Sequence, residues 1–197
     1  MGLISNGTTI FDNGVVNAGG SMTFISKATA SASASIEFTS GIDSTYKEYV
    51  FYFVNIHPQN DGVDFTFQVD TGTNTNYNQT MTTTVFRAYH TEADDESALD
   101  YDPGRDQAQG TSFQILAHEC GNDNDENTVG TLQLFNPSSD TFVKHFISTI
   151  QSVKNTPMSV NKFNAGYINT ITPITRVKFK FSSGNIDSGE ILLFGVN

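Results

Sequence analysis

His118 and Glu119 stand together as the opening of a zinc-protease pattern, in which two histidines one helical turn apart hold the metal and the glutamate activates its water. The fifth position of that pattern is Asn122, so the second ligand is missing, and the pair reads instead as the polar end of a strand. Asp123, Asp125 and Asn127 have the alternate spacing with which a calcium loop presents oxygen ligands. An EF-hand is excluded, because Thr128 stands where that loop needs glycine and Leu134 where it needs a bidentate glutamate. A looser calcium site built on Asp123 and Asp125, drawing on Asp94, Asp95 or Asp102, stays open beside the plainer reading of an acidic turn in solvent.

Nucleophilic chemistry finds less support. No GxSxG elbow, P-loop or GxGxxG occurs, and Cys120 falls in an acidic stretch that would raise its thiol pKa. His57, His90, His118 and His145 are scattered along strands or at their ends, where hydrogen-bonded edge residues are commoner than triad members. Paired carboxylates for glycoside hydrolysis are defined by spatial separation, which a sequence does not supply. A chain without Trp is a poor candidate for a sugar cleft. The expectation is therefore a protein without catalytic activity that acts by binding. Arg176, Lys178 and Lys180 share one side of an alternating segment, with Val177, Phe179 and Phe181 on the other. Such a basic face could grip a polyanion, but it is better read as a wet sheet face or as a match for an acidic loop on a neighbouring subunit.

The elements that position these residues are strands. Val63, Phe65, Phe67 and Val69 alternate with Asp64, Thr66, Gln68 and Asp70, and the same period recurs over 174–182 and 189–196. Successive side chains of a strand point to opposite faces, so each segment buries one face and wets the other. Lys47 to Ile56 is apolar on both sets and reads as a central strand, followed through Pro58 and Asp61-Gly62 by Val63–Asp70 as its hairpin partner. Residues 91–110 form a long acidic excursion without periodicity. The count comes to about ten strands with no helical period. The predicted fold is all-β: a single β-sandwich of jelly-roll type over 21–197, preceded by an arm over 1–20.

Composition agrees. The chain has 197 residues, 16 Phe, 7 Tyr and a net charge of −11. It is long enough for one core, and its abundant Thr, Ser, Asn and Gly suit short strands joined by turns. From Asp61 to Glu126 fourteen Asp or Glu face two Arg, while the chain beyond Asp140 is basic. An acidic protein repels phosphates and anionic lipid, so neither nucleic acid nor membrane is expected as a partner. One cysteine permits no internal disulfide, and no export signal or apolar span is evident, so synthesis in a cytoplasm is expected. In the arm, Leu3-Ile4 and Ile10-Phe11 are apolar pairs separated by Asn-Gly turns. They are hard to satisfy within a separately folded body and are the predicted contacts with another chain.

The stretches STYKEYVFYFVNIHPQNDGVDFTFQVD (44–70), LFNPSSDTFVKHFIS (134–148) and SSGNIDSGEILLFGVN (182–197), with an opening of the form MxLISNGTTxxD, resemble virion structural proteins of tailed bacteriophages of the marine type. The likeness runs from Leu3 to Val196 and rests on strand and turn signatures, not on active-site residues. It implies a non-enzymatic capsid decoration (cement) protein that stabilises the shell, made in the host cytoplasm and acting in the virion. The alternative it implies is a tail or head fibre component with a receptor- or carbohydrate-binding role. Expected partners are further copies of the chain, as a trimer, and the major capsid protein or a tail component. No cofactor is expected apart from the calcium left open above.

Overall fold

The computed structural model describes residues 21–197, together with the backbone of three short strands before them: β1 (Leu3–Ser5), β2 (Thr8–Asp12) and β3 (Val15–Val16). These three pair antiparallel with one another. The side chains of Leu3, Ile4, Ile10 and Phe11, the predicted contacts of the arm, lie outside the described residues.

Twelve strands build the body: β4 (Met22–Ser33), β5 (Ile36–Phe38), β6 (Glu48–Pro58), β7 (Val63–Thr71), β8 (Met81–Thr91), β9 (Ser97–Tyr101), β10 (Gln114–Cys120), β11 (Thr128–Phe135), β12 (Lys144–Lys154), β13 (Met158–Ile168), β14 (Ile174–Phe181) and β15 (Ile186–Val196). All pairings are antiparallel. The all-β expectation holds, with more strands than the ten read from the sequence. Among the described residues no helix is long and apolar enough to cross a membrane.

Hydrogen bonding joins the twelve strands into one sheet, but they fall into two runs. The long run is β4-β15-β6-β11-β12-β13-β8-β9 and the short run is β10-β7-β14-β5. A single pair of residues, Cys120 and Lys154, links them through β10 and β12. The runs meet face to face. Phe179 of β14 lies 5.2 Å from the rings of both Phe51 and Phe53 on β6, and Phe67 of β7 lies 4.9 Å from Phe146 of β12. These rings are fully or almost fully buried.

This packing corrects the hairpin expected between 47–56 and 63–70. β6 pairs with β11 and β15, whereas β7 pairs with β10 and β14. Both strands carry large inward aromatic faces, and Phe53 meets Phe65 at 5.3 Å across the interior. Two such faces bury more area stacked than side by side, so the Pro58–Gly62 turn carries the chain from one run to the other. The bend is helped by an extra residue in β6. Asn55 takes φ 51°, and the register against both neighbours shifts there. Gly189 sits opposite with φ 118°, and a Cβ on it would come within 2.5 Å of the Asn55 carbonyl oxygen, which is why glycine is needed.

A second correction concerns β7. Its polar set was expected to be wet, yet Thr66, Gln68 and Asp70 are buried. The Gln68 amide donates to the carbonyls of Gln79, Thr111 and Ser112 at 3.0–3.2 Å. Asp70 accepts from the backbone N–H of Thr71 and Tyr77 and from the Gln79 amide. Loops thus cover this face by using its polar groups as anchors, so no buried donor goes unpaired there.

Phe179 is the ring through which the two runs interlock, so Phe179→Ala should cost about 3–5 kcal/mol. Urea unfolding of the variant against the parent chain measures this, with a lower midpoint at an unchanged slope expected.

Candidate interaction surface

The acidic excursion is folded against the body. Its strand β9 pairs with β8 from Ser97 to Tyr101, and ion pairs tie it to the body. Arg87 Nε donates to Asp100 Oδ1 at 3.0 Å. The Lys162 ammonium, its side chain 1% exposed, reaches Asp102 Oδ2 at 3.0 Å. Glu119 takes Lys154 as its partner, with Arg105 at 4.0 Å. The basic partners of the excursion, Arg87 on β8 and Lys162 on β13, lie outside it in the chain, so no local pattern shows the match.

His118 sits at the centre of this network, 3% exposed. Arg87 Nη1 lies 3.1 Å from its Nε2. Burial, reinforced by the nearby Lys162 charge, pushes the imidazole down to about 4, so the ring is neutral at pH 7 and accepts from the guanidinium. Burial also opposes ionisation of Asp102, but the Lys162 ammonium outweighs it and holds that carboxyl below its ordinary value. Cys120 ends β10 inside the core, not in the loop expected for it, and burial pushes its thiol up to about 11. His118 and Cys120 are thus both held in their neutral forms within the protein, and the network positions the excursion against β8, β10 and β13.

With those polar residues turned inward, the same strands turn apolar residues outward. Lys162 and Asn164 are buried while Phe163 between them faces out, and Val85 is buried while Phe86 is 45% exposed. Phe86 and Phe163 are register partners whose rings stack at 4.7 Å. Tyr101, 51% exposed, extends the row from β9, and Ile147, 47% exposed, lies beside it on β12. A shallow depression of about 240 Å³ beside Phe86, Phe163 and Ile147 continues, through Thr84, Ile147 and Ala165, into a groove of about 480 Å³. Phe135, His145 and Tyr167 line the far end of that groove. No Lys, Arg, Asp or Glu lines either depression. On a protein of charge −11 this uncharged aromatic surface is the candidate interaction surface.

The residues singled out in the sequence lie elsewhere. Arg176, Lys178 and Lys180 do share one face of β14, opposite the buried Val177, Phe179 and Phe181. Their charges are engaged within the chain: Arg176 Nε donates to the Gly72 carbonyl at 3.1 Å, Lys178 pairs with Glu37 at 2.9 Å, and Lys180 lies 4.6 Å from the centre of the Phe113 ring. Asp123 and Asp125 are exposed in a turn in which the Glu126 carboxylate accepts from the Asp123 N–H at 2.9 Å. Among the described residues no three His, Cys, Asp or Glu side chains are gathered as a metal site would require. The aromatic surface was missed although its signal is in the sequence. Val85-Phe86 and Phe146-Ile147 place apolar residues side by side in alternating strands, which forces one of each pair outward.

The His118 site sets a pH dependence. The folded-state pKa is depressed from 6.5 to about 4, so its contribution to stability is full above pH 6.5 and is lost as pH falls toward 4. Unfolding free energy should drop by up to ~3 kcal/mol across that interval. Asp102, whose carboxyl the Lys162 ammonium holds below its ordinary value, adds loss in the same direction at lower pH. His118→Gln keeps an acceptor for Arg87 and should flatten the slope between pH 6.5 and 4; urea midpoints of both proteins across pH check this.

Comparison with models of protein families, with curated proteins and with solved structures finds no match to this chain.

Proposed function

We propose that this chain is a non-enzymatic structural protein of a tailed-bacteriophage virion, a decoration protein that binds the outside of the shell as a homo-oligomer, a trimer, and stabilises it. The observation that carries the reading is the uncharged row of Phe86, Phe163, Tyr101 and Ile147 on an otherwise acidic surface. A surface of this type holds through apolar burial, while net negative charge keeps the free protein soluble and away from nucleic acid. The resemblance carried by 44–70, 134–148 and 182–197 points to the same class.

The strand order supports a jelly roll as its body. In the long run β4, β15, β6 and β11 follow one another, and in the short run β5, β14, β7 and β10. Chain neighbours β4/β5, β6/β7, β10/β11 and β14/β15 therefore fall in opposite runs, the double Greek-key order of an eight-stranded roll. The hairpins β8–β9 and β12–β13 are then insertions that extend the long run and carry the aromatic row. Jelly rolls build both capsids and lectins. The groove between His145, Tyr167 and Thr82 favours, as the second reading, a fibre component that binds a receptor glycan.

Particles assembled without the protein should release DNA at a lower temperature while adsorbing to cells normally, because a ligand that binds only the assembled lattice favours it by mass action. Adding back the parent chain should restore the release temperature, and adding back Phe86→Ser/Phe163→Ser should not. Loss of adsorption at unchanged shell stability would select the fibre reading instead.

A further inference from the structure

The body has four strand edges, and three of them are blunted. β5 is 3 residues long. β9 spans 5 residues and is bordered by Asp94, Asp95 and Glu96, with Asp100 within it. β10 is tied to β12 at Cys120. Short strands, edge charges and covering contacts are the usual means by which proteins prevent sheet edges from pairing with other chains. The fourth edge has little of this. β4 runs for 12 residues and, among the described residues, pairs only with β15. The register against β15 shifts near Ile25, and Ala32 takes φ 47°. Between those irregularities Ser26-Lys27-Ala28-Thr29-Ala30-Ser31 is a regular strand without proline. Its one charge, Lys27, is matched at 2.6 Å by Glu190 of its own chain.

We propose that this edge pairs with the same edge of a second copy, β4 against β4 and antiparallel across a two-fold axis, so that the long run of one copy continues into that of the next. A row of alternating N–H and C=O groups is complemented by another such row, which makes an extended strand the fitting occupant. The second copy is the occupant that the charges favour. Two molecules of charge −11 repel over most of their surfaces, whereas 26–31 is neutral once Lys27 is paired. Serine, alanine and threonine side chains also let two backbones approach without steric cost. A two-fold axis makes the contact self-complementary and closed, so it joins copies in pairs and is separate from the contact that forms the proposed trimer. The proposal is independent of the virion reading, since it concerns the purified chain alone.

Light scattering of the full-length protein across concentration should give a mass that rises from one chain to at least two, and hydrogen exchange should find alternate amides over 26–31 protected only in the associated state. With Ala28 on the two-fold axis, Thr29 of one copy stands opposite Lys27 of the other, so Thr29→Lys sets two ammonium groups face to face and should weaken association by more than tenfold, with thermal unfolding of the dilute protein unchanged. Thr29→Val should associate as the parent does. The proposal is overturned by a protein that stays monomeric, by association that survives Thr29→Lys, or by association lost in Phe163→Ser or in the arm variant Phe11→Ser but kept in Thr29→Lys.

Discussion

The contact on which the architecture depends is the aromatic stack through Phe179. That ring lies within 6.4 Å, centre to centre, of Phe38, Phe51, Phe53, Phe65 and Phe67. Phe51 and Phe53 belong to the long run and the others to the short run or its edge, so the interaction between runs passes through one set of rings. Strand-ladder pairing between the runs amounts to the Cys120–Lys154 pair. Burial of large side chains, and not the ladder, therefore closes the fold; mutual edge-to-face geometry adds a modest amount to the area term.

The closing of the core dictates where polar groups go. Beyond the aromatic centre, the inner face of β13, β8 and β9 turns to Lys162, Asn164 and Arg87, which the excursion and β10 satisfy with Asp102, Asp100, His118 and the Leu116 carbonyl. Some polar atoms here, His118 Nδ1, Ser148 Oγ and Asn164 Oδ1, have no protein partner. A buried ionic cluster adds less stability than an apolar one of equal volume and is costly to break on one side. It does fix the position of β9, and with it Tyr101 beside Phe86 and Phe163 on the outside. The exposed aromatic row and the charged interior are two faces of the same strands, since inward polar residues at alternate positions leave the apolar ones outward.

Charge is arranged to the same end. The acidic middle of the sequence and the basic last third neutralise each other in part, through Lys154–Glu119 and Lys162–Asp102. What remains outside is acidic around the excursion and neutral on the aromatic row and along β4. Neutral surfaces on a like-charged molecule are where contact costs least electrostatically.

The sequence by itself determined the class of element and the inner face of most strands. Val63, Phe65, Phe67 and Val69, and Val177, Phe179 and Phe181, are all buried, as their period requires. It also determined that β6, apolar on both alternating sets, is an interior strand. Tertiary structure alone decided which strands pair. The Asp61-Gly62 turn suits a hairpin as well as a crossover, and only the competing burial of Phe53 against Phe65 selects the crossover. It likewise decided that the polar face of β7 is covered, because Gln68 and Asp70 find partners from distant loops that no local pattern encodes. Periodicity reports the environment along one strand, whereas pairing and covering depend on contacts between residues far apart in the chain, and those energies are decided only when the chain has closed on itself.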